Sequence, residues 1–147
     1  MSPLLVRQTP TADAQVAGLR GPAKKTYEAF LTQLSAQGCA ALGYRLTGPE
    51  PLPRLCVKHL RGADRAVVAF VDDEAWVLLV GPHSDKDPRV DVYTALYTLV
   101  GVEPEDQAKR TKPSCCDGDG DAPEVDPAEV DALVSRAKSL GRRPRGA

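Results

Sequence analysis

Three apolar runs joined by very short connections constrain the fold of this 147-residue chain more than any other feature. The runs are Leu55–Leu60, Arg65–Val71 and Glu74–Val80, separated by Arg61–Asp64 and by Asp72-Asp73. Parallel neighbours need a crossover of about a dozen residues or more, so these connections predict antiparallel strands joined as hairpins. The second and third runs contain consecutive apolar positions, which predicts that other elements cover both faces of the sheet.

Helices are predicted before and after this sheet. Pro22 lies in the first turn of a helix that ends at Gly38 and whose apolar side chains recur every three or four residues. These side chains are Ala23, Tyr27, Phe30, Leu31 and Leu34. Residues 39–43 are predicted to add a further helical turn, which would complete a helical hairpin over one face of the sheet. Another helix is predicted to begin at Asp87-Pro88 and to end at Gly101.

The remaining segments divide the chain into three parts. Residues 1–18 are predicted to form a short arm, in which Leu4–Val6 can add a brief edge strand. Residues 19–112 form the predicted domain, and residues 113–147 form a linker and a C-terminal tail. The tail contains an amphipathic helix at Pro127–Leu140, and the sequence leaves open whether this helix packs on the core or serves a partner interface.

The cysteines and the apolar runs indicate a cytoplasmic location. Cys39, Cys56, Cys115 and Cys116 show no CxxC or CxxH spacing, so we expect reduced thiols and no structural zinc site. The longest apolar run, Ala75–Val80, is far shorter than the about 20 residues that a membrane span needs. The first residues also lack the basic start and the long apolar stretch of a secretory signal.

No metal ion or other cofactor is expected. Asp117, Asp119 and Asp121 resemble the start of an EF-hand loop, but alanines occupy the positions of the required glycine and of the bidentate glutamate. The sequence also contains no glycine-rich phosphate-binding loop.

The formal net charge of −1 argues against a protein dedicated to nucleic acids, which usually carries a basic excess. The predicted strands nevertheless concentrate positive charge in Arg54, Lys58, Arg61 and Arg65, with His59 among them. Binding to RNA would therefore depend on a local site and would weaken only gradually with salt.

Three of the candidate functional residues are expected to meet at one end or along one face of the sheet. Lys58 and Arg65 lie on paired strands, and His83 follows the third strand. Arginine and lysine bind phosphate, and histidine exchanges protons near neutral pH. Such a set suits the cleavage of RNA by its own 2′-hydroxyl group. The alternative interpretation is a solvated basic face with a histidine in a surface turn. The tyrosines Tyr27, Tyr44 and Tyr97 are read as core or boundary residues.

The order of elements over residues 19–100 resembles the RelE/ParE superfamily of bacterial type II toxins, and in particular its RelE branch. The residues that carry the resemblance are the strand Leu55–Leu60, the strand Arg65–Phe70, the strand Trp76–Val80 and the segment Gly81-Pro82-His83. The resemblance implies an α+β fold in which an N-terminal helical hairpin packs on a twisted antiparallel β-sheet, followed by a C-terminal helix.

The resemblance also implies an activity, because RelE toxins enter the ribosomal A site and cut messenger RNA. Lys58 matches the lysine that acts as general base, and Arg65 matches the arginine that stabilises the phosphorane. His83 occupies a position where some family members have an arginine and others have a histidine that acts as general acid. Asp91-Val92-Tyr93 resembles Glu-Val-Tyr, in which the tyrosine stacks on a base, although the gap between His83 and Tyr93 is longer here.

The resemblance further implies a set of contacts and partners. Candidate RNA-binding residues are Arg54, Arg61, Lys109, Arg110 and Lys112, and the alternative for the last three is a solvated linker. The expected partners are a cognate antitoxin protein, the ribosome and messenger RNA. Contact with operator DNA would occur through the antitoxin, and no membrane is involved.

Two other functions fit the same scaffold. The ParE branch poisons DNA gyrase and generally lacks the residue set found here. A catalytically weak homologue could act as a co-repressor that binds the antitoxin, which the slightly acidic balance of the chain favours.

Overall fold

The computed structural model describes residues 3–84, 86–102 and 112–141, without the side chains of 137–141. It is an α+β structure built on a five-stranded mixed sheet with the strand order β1-β5-β4-β3-β2. The strands are β1 (Leu5–Gln8), β2 (Tyr44–Arg45), β3 (Leu55–His59), β4 (Asp64–Val71) and β5 (Glu74–Pro82). The three strands predicted at the centre of the chain are confirmed, and they pair antiparallel.

The sheet is not purely antiparallel, because β1 pairs with β5 in the parallel direction. Leu5 is the Cα partner of Glu74, and Gln8 is that of Val77. The predicted edge strand is therefore present, but the expectation of an antiparallel sheet is wrong at this edge. A strand that no hairpin joins to its neighbour carries no sequence signal for its direction.

The N-terminal helices differ in position from the predicted hairpin. The predicted helix is α2 (Gly21–Gln37), which buries Tyr27, Phe30 and Leu34, but only a short 3₁₀ helix at Gly38–Ala41 follows it. A second N-terminal helix, α1 (Pro10–Ala17), precedes α2 instead. Its first turn is capped by Thr9, whose Oγ1 accepts a hydrogen bond from the Ala12 N–H and donates one to the Leu78 carbonyl.

The helix after the sheet, α3 (Val92–Val100), begins four residues later than predicted from Asp87. Asp91 is its N-cap and accepts a hydrogen bond from the Thr94 N–H at 3.0 Å. The Asp87 carboxylate instead accepts from the Arg89 N–H within the preceding turn. The predicted end is confirmed, because Gly101 adopts the left-handed conformation at the C-cap.

Side chains of the central strands alternate between two cores, one on each side of the sheet. On the α3 face, Leu55, Val57, Val67 and Ala69 pack with α3 and with α4 (Pro127–Gly141). On the α2 face, Cys56, Ala66, Val68 and Phe70 pack against α2. The predicted tail helix is confirmed as α4, and it packs on the core because Val130 and Leu133 are buried on the α3 face.

The prediction of reduced thiols is wrong in this structure. Cys39 is bonded to Cys116 and Cys56 to Cys115, across 77 and 59 residues of sequence. The bridges fasten the segment that follows residue 112 to the short 3₁₀ helix and to β3. Sequence spacing could not reveal them, because only folding brings such distant residues together. None of the described helices is long and apolar enough to cross a membrane.

Candidate functional site

A polar cluster occupies one end of the α3 face, and we call it the His–Arg cluster. Its members are Tyr44, His59, Arg65, His83, Asp91, Tyr93 and Lys112. Both histidines of the chain belong to it. The cluster is open to solvent, since His59 and Lys112 are exposed and the other members except Asp91 are half-buried.

Strand register places the first two members. His59 at the end of β3 is the Cα partner of Arg65 at the start of β4. Cross-strand partners project from the same face of a sheet, and successive residues project from opposite faces. Because Val57 and Val67 lie on the α3 face, His59 and Arg65 also leave the sheet on that face.

A buried carboxylate holds His83. The backbone N–H of His83 donates a hydrogen bond to the Ala63 carbonyl at 2.8 Å, which ties the end of β5 to the turn between β3 and β4. Its Nδ1 lies 3.0 Å from Asp91 Oδ1. Asp91 is 8 % exposed and also accepts hydrogen bonds from the Ser84 N–H, the Thr94 N–H and the Thr94 hydroxyl.

The Asp91 carboxylate is therefore charged and determines the tautomer of its neighbour. Burial acts to raise the pKa of Asp91, but hydrogen bonds from His83, Ser84 and Thr94 outweigh it and hold that pKa below its usual range. An ionised carboxylate can only accept hydrogen bonds, so Nδ1 of His83 must carry a proton. Proton exchange with a substrate is thereby directed to Nε2.

Two tyrosines connect the histidines. The Tyr93 ring meets the His83 ring edge to face, with 4.8 Å between centroids, and Tyr44 meets His59 in the same way at 5.9 Å. The Tyr44 and Tyr93 hydroxyl groups are hydrogen-bonded to each other. Burial raises the pKa of Tyr93 far above its usual range and Tyr44 adds to this rise, while Arg65 opposes it. Tyr93 is therefore neutral and cannot serve as a base near neutral pH.

Positive charge surrounds His59. The Lys112 Nζ lies 5.1 Å from the centroid of the Tyr44 ring. Desolvation is the largest cause that lowers the pKa of His59, and Arg65 and Lys112 lower it further. His59 is thus predominantly uncharged at neutral pH, which is the state that a general base requires.

The Arg65 guanidinium retains binding capacity. Its Nη1 donates to the carbonyl oxygens of Gly62 and Asp64 at 3.3 and 3.2 Å. Its Nε is buried and has no hydrogen-bond partner among the described residues. A buried donor without a partner is unfavourable, and an oxyanion at this position would relieve that cost.

The structure does not bring Lys58 into this cluster. Lys58 is the Cα partner of Ala66 and therefore leaves the sheet on the α2 face, opposite to Arg65 and His83. His59 occupies the position next to Arg65 that the sequence interpretation gave to Lys58. The signal that could have identified His59 is the short turn between β3 and β4, which pairs residues 59 and 65.

The predicted RNA-binding residues are divided between the two ends of β3. Arg54 lies at the far end, where it forms an ion pair with Glu50 and donates to the Glu124 carbonyl. Arg61 is exposed in the turn beside the cluster, and Lys112 is part of the cluster. Lys109 and Arg110 lie outside the described residues.

The acidic triplet of the tail forms a local turn. One carboxylate oxygen from each of Asp117, Asp119 and Asp121 lies within 4.8 Å of the others, and all three residues are exposed. Asp117 Oδ1 accepts the N–H groups of Asp119 and Asp121 at 2.8 and 3.0 Å. These hydrogen bonds account for the geometry of the turn.

Comparisons with known proteins find similarity among solved structures. No family model matches this chain, and no curated protein matches it. Among solved structures, a chain of the toxin-antitoxin complex RelBE2 from Mycobacterium tuberculosis is 22% identical, with 58% of this chain and 97% of that chain covered. The TM-score is 0.39. Similarity at this level supports no inference about function.

Proposed function

We propose that this chain is the toxin of a bacterial type II toxin–antitoxin pair and that its His–Arg cluster cuts messenger RNA on the ribosome. The observation that supports this most directly is the meeting of both histidines with Arg65 and Tyr93 on one open face. The resemblance of residues 19–100 to RelE toxins supplies the class of substrate and the ribosomal setting.

The proposed reaction uses the 2′-hydroxyl group of the RNA as nucleophile. His59 takes the 2′-hydroxyl proton, the 2′-oxygen attacks phosphorus, and the bond from phosphorus to the 5′-oxygen breaks. His83, protonated at Nε2, gives its proton to the leaving 5′-oxygen. The products are a 2′,3′-cyclic phosphate and a free 5′-hydroxyl group, and the two histidines exchange protonation states.

The cations and the tyrosines serve this reaction in different ways. The Arg65 guanidinium would stabilise the negative charge of the phosphorane, and Lys112 would add a second positive charge at the rim. Tyr93 and Tyr44 keep the imidazole rings apart and in fixed orientations. Asp91 holds His83 in the tautomer that can act through Nε2.

The open position of the cluster fits a polymeric substrate and a protein inhibitor. Exposed His59, Arg61 and Lys112 can reach a strand that lies across the end of the sheet. The same exposure would let an antitoxin segment cover the cluster and exclude RNA. Any contact with operator DNA would then be made by the antitoxin.

Expression in a bacterium tests this proposal. We expect the wild-type chain to stop growth and to produce codon-phased cuts in primer extension on cellular mRNA. Arg65→Ala and His83→Ala should abolish both effects, whereas Lys25→Ala, on the exposed side of α2, should retain them. Full toxicity of both cluster variants at wild-type protein levels would refute the assigned site.

The same experiment separates the two other functions. Intact mRNA together with broken chromosomes would indicate a gyrase poison. Normal growth, with intact mRNA and retained antitoxin binding, would indicate a co-repressor without catalytic activity. Either result would replace the nuclease proposal.

A further inference from the structure

We propose that Cys39, Cys56, Cys115 and Cys116, when reduced, form a tetrathiolate site for one divalent metal ion of the zinc class. In the structure these residues form two disulfides, so the proposal concerns a second state of the same four sulfur atoms. It uses no residue of the proposed RNA-cleaving cluster and does not depend on the proposed function.

The first support is convergence. Cys39 lies in the 3₁₀ helix after α2, Cys56 lies on β3, and Cys115 and Cys116 are consecutive. The Cα atoms are 5.3 Å apart in the pair of Cys39 and Cys116, and 5.7 Å apart in the pair of Cys56 and Cys115. Consecutive Cα atoms are about 3.8 Å apart, so the two pairs are adjacent. Zinc sites of this class need four sulfur ligands at about 2.3 Å from the metal, and the consecutive residues Cys115 and Cys116 bring one sulfur of each pair to the same short segment.

The second support is the surroundings. All four cysteines pack in the apolar core of the α2 face, and Cys39, Cys56 and Cys115 are between 0% and 6% exposed. Thiols in such an apolar environment ionise poorly and stay inert. A bound divalent cation stabilises the thiolate form and would hold the four side chains in one geometry.

The third support is a half-buried cation on the strand next to Cys56. Arg45 on β2 is the Cα partner of Cys56, so its side chain leaves the sheet on the same face. Its Nε is buried and has no hydrogen-bond partner among the described residues. Four thiolates around a divalent ion carry a net charge of −2, and the Arg45 guanidinium would compensate part of it and gain an acceptor.

The exchange between the two states balances. A dithiol reductant gives two electrons and two protons to each disulfide, and two such reductants yield four thiols. Binding of the metal ion then releases four protons. In the reverse direction two molecules of a disulfide oxidant each accept two electrons from a thiolate pair and become two thiolates, which re-forms the two disulfides and expels the metal ion. In both states the segment after residue 112 stays fastened to β3, and Arg45 N–H donates to the Pro113 carbonyl at 2.7 Å beside this attachment.

Titration of the reduced full-length chain with Co²⁺ tests the proposal. The protein is reduced, freed of reductant without oxygen, and titrated with Co²⁺ followed by Zn²⁺. We expect one Co²⁺ per chain, with thiolate-to-cobalt charge-transfer absorption and the intense visible bands of a tetrahedral ion, all removed by one equivalent of Zn²⁺. A reduced chain with four titratable thiols that shows no such absorption would overturn the proposal, whether or not it is folded.

Variants locate the ion. Cys56→Ser and Cys115→Ser should each lose the charge-transfer absorption that saturates at one Co²⁺ per chain. Asp119→Asn, in the nearby acidic turn, should bind Co²⁺ as the wild-type chain does. Arg45→Met should keep the absorption but bind Co²⁺ about tenfold more weakly. Loss of binding in Asp119→Asn together with retention in Cys115→Ser would assign the ion to the carboxylates and contradict the proposal.

Discussion

The two faces of the sheet carry different chemistry although their residues alternate along the same strand. On β3, Val57 and His59 face α3, whereas Cys56 and Lys58 face α2. The α3 face ends in an open cluster of imidazole, guanidinium and phenol groups, and the α2 face encloses four sulfur atoms. Strand register therefore decides which candidate residues lie together on one face, and their distance apart in the sequence does not.

The faces also differ in how they hold their polar groups. His83 is fixed through Asp91, which accepts four hydrogen bonds, and the tyrosines fix the remaining ring orientations. The cysteines are fixed by covalent bonds across 77 and 59 residues. If the faces are independent, changes on one should alter RNA cleavage and changes on the other should alter stability.

A large effect is expected at Arg65, at the start of β4, and almost none at Arg54, which precedes β3. Arg65→Ala should lower the rate of RNA cleavage by about 10²–10³, because it removes the donor proposed to stabilise the phosphorane. Arg54→Ala should change that rate by less than about threefold, since Arg54 is exposed and paired with Glu50. Single-turnover cleavage of ribosome-bound message measures both. Equal losses in the two variants would contradict a site confined to one end.

On the α2 face, Cys56→Ala with Cys115→Ala should lower the free energy of unfolding by about 2–5 kcal/mol, because it removes one bridge. Below the unfolding transition the rate of RNA cleavage should stay close to that of the wild-type chain. Urea unfolding without reductant gives the stability, and the same cleavage assay gives the rate. A large loss in the rate of RNA cleavage with an unchanged free energy of unfolding would show that the two faces are not independent.

The packing of α4 on the α3 face gives a comparable test of stability. Leu133 is fully buried, so Leu133→Ala should cost about 2–4 kcal/mol in the free energy of unfolding. Asp131→Ala, on the exposed side of the same helix, should change it by less than about 0.5 kcal/mol. Equal small effects in the urea transitions would show that α4 does not belong to the core.

The smallest expected effect is electrostatic. Lys112 is one of the charges that lower the pKa of His59, so Lys112→Ala should raise that pKa towards its ordinary value. The acid limb of the cleavage profile, where His59 becomes protonated and can no longer act as a base, should move to higher pH. Titration of the two imidazole signals by NMR measures this, with Lys25→Ala as control. If the pKa of His59 were unchanged or lowered in Lys112→Ala, the assignment of Lys112 to the cluster would be contradicted.

Local patterns predicted the parts of the fold that local forces determine. The short connections between the strands specified the hairpins, and the spacing of Tyr27, Phe30 and Leu34 specified α2. Gly101 marked the end of α3 because only that position needs the left-handed conformation there. These features need no knowledge of distant residues.

Features that depend on distant contacts could not be predicted in the same way. The parallel direction of β1 and the pairing of Cys39 with Cys116 arise only when the chain is folded. For the candidate site, the structure brings Arg65, His83 and Tyr93 together, and their roles in catalysis stay predictions. Lys58 is predicted from the resemblance to RelE toxins, but the pairing of β3 with β4 places it on the α2 face, because a shift of one residue along a strand reverses the face.

The most direct test of the His–Arg cluster compares two adjacent residues of β3 in single-turnover cleavage of ribosome-bound mRNA at neutral pH. His59→Asn should lower the rate by about 10²–10⁴, because it removes the proposed general base. Lys58→Met should keep the rate within about threefold of the wild-type value, because Lys58 faces α2. The message cut by the wild-type chain should end in a 2′,3′-cyclic phosphate. A severe loss in Lys58→Met together with an active His59→Asn would contradict the proposed site.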